Sequence, residues 1–394
     1  MRRIKKLINY IMCFLLPLIY KPKKNIIIFT FDGNSFKFNT KVLFEYIILK
    51  KSQEIELRYI INDDLLREKL IKQYGNKFIT TKSFSHLKII SQAKVWITDG
   101  GFPLKSPFNH KKRVLINLWH GIPLKKIGVM GYNGLEKFRV WLTLKMFSSN
   151  YSLFSSTSDN LKKIYAKSFL IKEDIVISLG QPRNDLLFYK KNKISDYIEE
   201  LPLYEKVILY APTWRKGIYG QDWKGDDTKF FPFTDFNLKK LEDFLSKKKI
   251  LLLIRPHHLQ QVKIEETYWI RNFSASICNE IMDVLSNFYL LITDYSSIYF
   301  DFLILEKPVL FLPYDLTLYE KNVGLNFEYN DITPGPKPKK QSEFIREIYK
   351  LLNDNSYYLK ERKFTNKYFN QTVKGSSQKI YSFILRKLKE KEFV

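Results

Sequence analysis

The sequence is short of cysteine, of acidic residues and of long apolar runs, and each shortage excludes something. Only Cys13 and Cys278 occur in 394 residues, far apart, so neither a disulfide framework nor a cysteine-rich zinc site can be built. A reducing compartment fits that usage. No GxxxxGK[ST] loop and no GxSxG elbow is present, which removes P-loop nucleoside triphosphatases and serine hydrolases. Zinc-finger spacing, an RRM-type aromatic signature and a basic heptad are all missing, so nucleic acid is not the expected partner. Acids number 40 against 66 lysines and arginines, a formal charge of +26, and a potential of that sign draws acidic partners. Anionic lipid and phosphorylated substrates fit this charge best. No internal repeat or low-complexity segment occurs, and 45% hydrophobic residues in a chain of this length are enough for two cores.

The apolar run at residues 7–20, LINYIMCFLLPLIY, is too short to cross a bilayer: its 14 residues reach about 21 Å as a helix, against a hydrocarbon core of roughly 30 Å. Pro17 is expected to interrupt it. Arg2, Arg3, Lys5, Lys6, Lys21, Lys23 and Lys24 bracket the run without an acid, and no small-residue cleavage site follows. Residues 1–24 therefore read as an amphipathic interfacial anchor, with basic side chains on anionic headgroups and the apolar face in the acyl boundary. The blander reading is a helix lying on the protein's own surface.

From residue 25 onward, short β-branched or apolar runs alternate with amphipathic segments, the pattern of an α/β protein with parallel sheets. Strands are expected at 26–31, 56–61, 95–99, 114–119, 153–156 and 175–179, then at 207–210, 250–254, 289–293 and 309–312. Helices are expected at 236–248 and 297–306. The charged stretch 189–205 carries no strand signal and is taken as the connection between two Rossmann-like lobes, 25–190 and 205–340. Residues 341–394 read as basic C-terminal helices.

Ligands of open α/β sheets sit beyond the carboxyl ends of strands, and the suspicious clusters fall there. After the 114–119 strand come His120, Gly121, Ile122, Pro123, Leu124 and Lys125. A histidine at a strand end, backed by glycine, is placed to be an exposed general base, and Gly121, Pro123 and Lys125 form its supporting loop. After 250–254 come Arg255, Pro256, His257 and His258: an arginine fork suited to phosphate oxygens beside a histidine able to donate to the same anion. Adjacent histidines point to opposite sides of an extended chain, so a metal site is the weaker reading. His86 and His110 lie outside such clusters and read as structural. Asp294, Tyr295, Ser296 and Ser297 follow a strand and open a helix, an anion-binding arrangement whose bland alternative is N-capping by Ser296 or Asp294. Arg215, in APTWR, offers a further phosphate donor, and Arg183 and Asn184, in GQPRND, read as supporting architecture.

Seven words in order, NLWHGIPLKKIG, GQPRND, YAPTWR, IRPHH, TDYSSIYFDF, KPVLFLPYD and PGP, are similar to those of the CDP-glycerol glycerophosphotransferase family, which primes or extends teichoic acids and related capsules. The resemblance implies a glycosyltransferase-B-like pair of Rossmann lobes and a CDP-polyol donor. It implies transfer of glycerol phosphate to a lipid-linked glycan or growing polymer with release of CMP, at the cytoplasmic face of the cell membrane as a peripheral protein. Carried over by motif, His120 is the base and Arg215, Arg255, His257, Ser296 and Ser297 serve the diphosphate, with Asp294 orienting His257 or capping the helix. The residue after Gly121 is commonly threonine in that family and is Ile122 here, which bears on substrate preference. No cofactor is required by these residues; no dedicated acidic metal motif is present, and a divalent ion, if used, would arrive with the diphosphate. A CDP-ribitol phosphotransferase and a sugar transferase on the same lobes are the enzyme alternatives, and a basic membrane- or polymer-binding protein the non-enzyme one. The polyol, the acceptor, single addition against polymerisation, and the oligomeric state are left open by the sequence.

Overall fold

The computed structural model describes residues 2–51, 54–106, 108, 110–189, 192–213, 215, 230–256 and 265–390. The chain separates into two compact units, the first of Met1–His120, Gly128–Asp185 and Thr372–Val394, the second of Gly121–Ile127 and Leu186–Gln371.

The first unit opens with α1 (Arg2–Ile19) and β1 (Lys23–Thr30), then α2 (Phe38–Leu49), β2 (Glu56–Ile60), α3 (Asp64–Tyr74), β3 (Phe78–Ile79), α4 (Phe84–Gln92), β4 (Ala93–Thr98) and β5 (Val114–Asn117). It continues through α5 (Gly134–Phe147), β6 (Leu153–Ser155), α6 (Lys162–Phe169) and β7 (Val176–Ile177). The sheet is parallel throughout, in the order β3-β2-β1-β4-β5-β6-β7. Most of its strands are buried on both faces and so read in the sequence as apolar runs; β2 is the exception, alternating, with Glu56 and Arg58 half-buried and paired at 2.9 Å. One core joins Ile27, Phe29, Leu43, Phe44, Ile97, Ile116 and Leu118.

The second unit repeats the plan with β8 (Lys206–Ala211), β9 (Ile250–Ile254), β10 (Ile270–Asn272), β11 (Leu290–Thr293) and β12 (Val309–Phe311), parallel in the order β10-β9-β8-β11-β12. Both units therefore share the doubly wound 3-2-1-4-5 arrangement, whose ligand site lies where the order reverses, beyond β1 and β4 in one and β8 and β11 in the other. The helix Leu238–Lys247 starts where the Asn237 side chain accepts from Lys240 N at 2.9 Å, and buries Leu241 and Leu245 on one face.

Four expectations change. The segment after His120, Gly121–Ile127, packs with the second unit. The C-terminal helices do not form one block: Gln341–Asn353 packs Phe344, Ile348, Leu351 and Leu352 into the second core, whereas Ser376–Glu390 returns Ile380, Phe383 and Ile384 to the first. The main run of the second unit, Leu186–Gln371, includes the stretch 189–205 expected to connect the lobes. Pro17 does not interrupt α1; it sits in the last turn, where the missing N–H costs one hydrogen bond and the ring is buried. At 18 residues α1 is about 27 Å long. No helix of the described residues is long and apolar enough to cross a membrane.

Candidate functional site

In the first unit the chain leaves β5 at Asn117 and turns sharply. Trp119 takes a left-handed conformation, φ +53°, costly for a bulky residue and sustained here from three sides. The Asn117 side chain accepts from Trp119 N at 2.8 Å, and Asn39 Nδ2 donates to Trp119 O at 2.7 Å. Arg183 Nη1 donates to the next carbonyl, that of His120, at 2.8 Å, while its own N–H donates to Asn39 Oδ1 at 3.0 Å. The strained residue is thus Trp119, not Gly121, and the result is a fixed imidazole.

The His120 ring lies against Trp119, centroids 4.1 Å apart, with Phe31 and Phe38 at 6.1 and 6.2 Å. Its Nδ1 is 2.8 Å from the Asp99 carbonyl oxygen; a carbonyl only accepts, so Nδ1 carries the proton and Nε2 keeps its lone pair. Burial pushes the imidazole pKa below 6.5; the Asp99 carbonyl acts the other way, and the positive Arg183 and Lys37 add to the lowering. At neutral pH the ring is an uncharged base. The Asp99 carboxylate accepts from Thr40 N and Thr40 Oγ1 at 2.9 and 3.0 Å.

In the second unit a charge cluster fills the switch point between β8 and β11. Asp294, buried, accepts from Thr213 N with both oxygens at 3.0 Å, from Thr213 Oγ1 at 2.7 Å and from Arg215 Nη1 at 2.6 Å. Arg215 spends its other donors on Asp315, from Nε at 2.8 Å and Nη2 at 3.1 Å, and on Thr213 O at 2.7 Å. Burial alone would lower its pKa, but Asp294, Tyr314 and Asp315 raise it well above the usual arginine value. Two carboxylates against one guanidinium leave one negative charge over. Lys125 is electrostatically coupled to this cluster: its pKa is brought down to about 8 by burial, with Asp294 raising it and Arg215 lowering it. Its Nζ stands 5.6 Å over the Tyr319 ring, which stacks at 3.8 Å on Tyr295. The loop carrying Lys125 is pinned by an antiparallel bridge to Leu325, by Lys126 N to Gly324 O at 3.1 Å, and by Asn326 Nδ2 to the Pro123 and Lys125 carbonyls, both at 2.8 Å.

These contacts redistribute the expected roles. Arg215, read from the sequence as a phosphate donor, is an internal keystone. Arg255 donates to the carbonyls of Phe273, Cys278 and Asn279 at 3.1, 2.7 and 3.3 Å, so it holds a turn rather than offering a free fork. Asp294 faces Arg215 and Thr213 instead of capping a helix. Ser296 and Ser297 are both partly exposed, Ser297 makes no capping bond to the helix Ile298–Leu303, and neither hydroxyl has a partner among the described residues. Ile122 is buried. In GQPRND, Arg183 holds His120, Asp185 accepts from Ser376 N and Ser377 N at 2.9 Å each, and Asn184 is buried with its amide unpaired among the described residues. His110 is a core residue, stacked on Phe102 and pushed down to about 4 by burial, and His86 Nδ1 accepts from Thr80 N. His257, His258 and Trp214 lie outside the described residues. The sequence reading missed Asn39, Asp99 and Asp315; the last two stand at or just beyond strand ends, where a signal was available, whereas Asn39 lies in α2 and carries none.

The chain is 29% identical over 406 residues to the teichoic acid glycerol-phosphate transferase of Staphylococcus aureus (strain NCTC 8325 / PS 47), covering 97% of this chain and 99% of that one. It is 30% identical over 379 residues to the teichoic acid poly(glycerol phosphate) polymerase of Bacillus spizizenii (strain ATCC 23059 / NRRL B-14472 / W23), covering 92% of each. Among solved structures, the wall teichoic acid polymerase TagF superposes with a TM-score of 0.77 at 23% identity, covering 99% of this chain and 97% of that one, a likeness of fold. Residues 11–386 match the model of the family described as CDP-Glycerol:Poly(glycerophosphate) glycerophosphotransferase, and the chain belongs to that family.

Proposed function

We propose that this enzyme transfers glycerol phosphate from CDP-glycerol to a hydroxyl of a lipid-linked glycan or growing teichoic-acid or capsule polymer, releasing CMP. The observation that carries the reading is the tautomer of His120. With Nδ1–H held by the Asp99 carbonyl, Nε2 takes the acceptor proton as the hydroxyl oxygen forms a bond to the glycerol-bearing phosphorus. The bond from that phosphorus to the bridging oxygen breaks, and CMP leaves with its electron pair. Phosphoryl transfer asks mainly for positioning and charge stabilisation. The hydroxyls of Ser296 and Ser297 and the Lys125 ammonium are assigned to the donor's diphosphate, and His257 joins them by its place after Arg255 and Pro256. Arg215, Asp294 and Asp315 keep that surface rigid. The α1 helix, with Leu7, Ile8, Tyr10, Ile11, Leu15, Leu18 and Ile19 exposed, supports a peripheral position on an anionic membrane, assigned to its cytoplasmic face.

CMP release screened over CDP-glycerol, CDP-ribitol and nucleotide sugars tests the donor; a nucleotide sugar as preferred donor would sink the reading. His120→Ala is expected to lower kcat by roughly 10² to 10⁴ with little change in donor affinity. The wild-type kcat/KM should rise with pH along an acid limb whose midpoint lies below 6.5, because His120 acts when neutral and its pKa is lowered. Near-normal CMP release by His120→Ala with a natural acceptor would assign the base elsewhere.

A further inference from the structure

The first unit holds a largely apolar pocket of about 690 Å³, within the roughly 300–1,000 Å³ of small-molecule sites. Its walls come from Tyr10 and Phe14 of α1, Leu144 and Phe147 of α5, and Trp119, the residue stacked on His120. The α1 helix is held over it by Ser106 Oγ donating to Phe14 O at 2.7 Å and by the edge-on contact of Phe14 with Phe108. So α1 roofs the carboxyl ends of β4 and β5 as well as offering an apolar face outward.

The surroundings indicate what enters. The α5 helix buries none of its residues and exposes Leu135, Phe138, Trp141, Leu142 and Met146. With the seven on α1, these account for 12 of the 26 large exposed apolar side chains among the described residues, so apolar exposure there is concentrated beside this pocket. Basic side chains predominate there: α5 carries Lys137, Arg139 and Lys145 against Glu136, and the exposed Lys105 lines the pocket. An apolar chain attached to an anionic headgroup matches both features; a polyol or a nucleotide matches only the second.

We propose that this pocket is a subsite for the hydrocarbon chain of a lipid-linked acceptor, taking the segment next to its anionic headgroup, an inference that rests on the proposed function. The wall shared with Trp119 then sets the distance from the lipid chain to the base, and α1 serves as part of the acceptor site rather than as an anchor alone.

Farnesyl phosphate and butyl phosphate share a headgroup and differ in chain. Titrated calorimetrically into the full-length protein, farnesyl phosphate is expected to bind at least about tenfold more tightly, since burial of apolar surface drives the difference. Thr143→Trp and Leu144→Trp fill the pocket from α5, the first from an exposed position that accepts a larger side chain without cost to the fold. Both should reduce the chain preference to within about threefold, while co-sedimentation with phosphatidylglycerol and phosphatidylcholine vesicles stays at the wild-type level. Equal binding of the two phosphates by the wild type overturns the proposal. A parallel loss of vesicle binding and farnesyl phosphate binding in both variants also overturns it, making the pocket part of a bilayer-facing surface. CMP release from CDP-glycerol that persists without a chain preference defeats the subsite and leaves the proposed function standing; a retained chain preference without CMP release does the reverse.

Discussion

Asp294 holds a charge where only 2% of the side chain is exposed, and it does so because every strong contact it makes is to a donor: Thr213 twice, Tyr295 N and the Arg215 guanidinium. Burial by itself raises its pKa, but Arg215 and Thr213 outweigh that and hold it below 3.8. The carboxylate therefore contributes stability at pH above 3.8, and that contribution is lost as pH falls through the lower folded value. Asp294→Asn strands Arg215 with a reduced counter-charge, and unfolding in urea should show a loss of about 3–5 kcal/mol. The two serines next in the chain behave differently. Ser296→Ala with Ser297→Ala removes no partner of a described residue, so the melting temperature should stay put while CDP and CDP-glycerol both bind roughly 10–100-fold more weakly, the range for hydrogen bonds to a charged group. A change in polyol discrimination with unaltered CDP affinity would remove the serines from the diphosphate.

At the scale of elements, the same words of sequence prove to be joints. The PGP at 334–336 lies against β12: Phe311 N donates to Pro336 O at 3.0 Å, and a Cβ on Gly335 would stand 2.0 Å from Val309 O. That contact is with backbone, which cannot swing aside. Gly335→Ala should destabilise the fold by about 1–3 kcal/mol through overpacking, visible as a lower urea midpoint at unchanged m-value. Ten of the twelve strands among the described residues were legible in the sequence, most of them as apolar runs, since a strand buried on both faces is apolar throughout. The two missed, β3 (Phe78–Ile79) and β10 (Ile270–Asn272), are short edge strands without an apolar run, β3 lying between Lys77 and Thr80 and β10 carrying Arg271 and Asn272. The equally short edge strands β7 and β12 stand in the longer apolar runs 175–179 and 309–312. β3 and β10 exist because β2 and β9 offer an open ladder beside them.

Across the whole molecule, an excess of 26 positive charges makes association with acidic surfaces dependent on salt. Leu7 and Ile11 are 60% and 45% exposed on α1, so Leu7→Asp with Ile11→Asp can be made without disturbing a core. Co-sedimentation with phosphatidylglycerol vesicles should fall severalfold for this variant. For the wild type it should weaken as salt rises from 0.1 to 1 M, where screening shortens from about 10 Å to about 3 Å. Salt-independent sedimentation, or no loss in the double variant, would move the contact away from α1.

The sequence by itself determined the two doubly wound sheets and the strand-end positions of His120, Arg215 and the two serines, because burial on both faces and chain reversal at glycine and proline leave marks on consecutive residues. It also carried enough of the family's words, in order, to name the chemistry. Only the tertiary structure decided what each side chain does there. Arg215 faces Asp294 and Asp315, 79 and 100 positions away, and so becomes a keystone instead of a phosphate fork. Arg183 holds the carbonyl of His120 across 63 positions, and the Asp99 carbonyl selects the imidazole tautomer across 21. A hydrogen bond depends on where two groups stand in space, and contacts between residues so far apart in the chain leave no local periodicity from which they could be read.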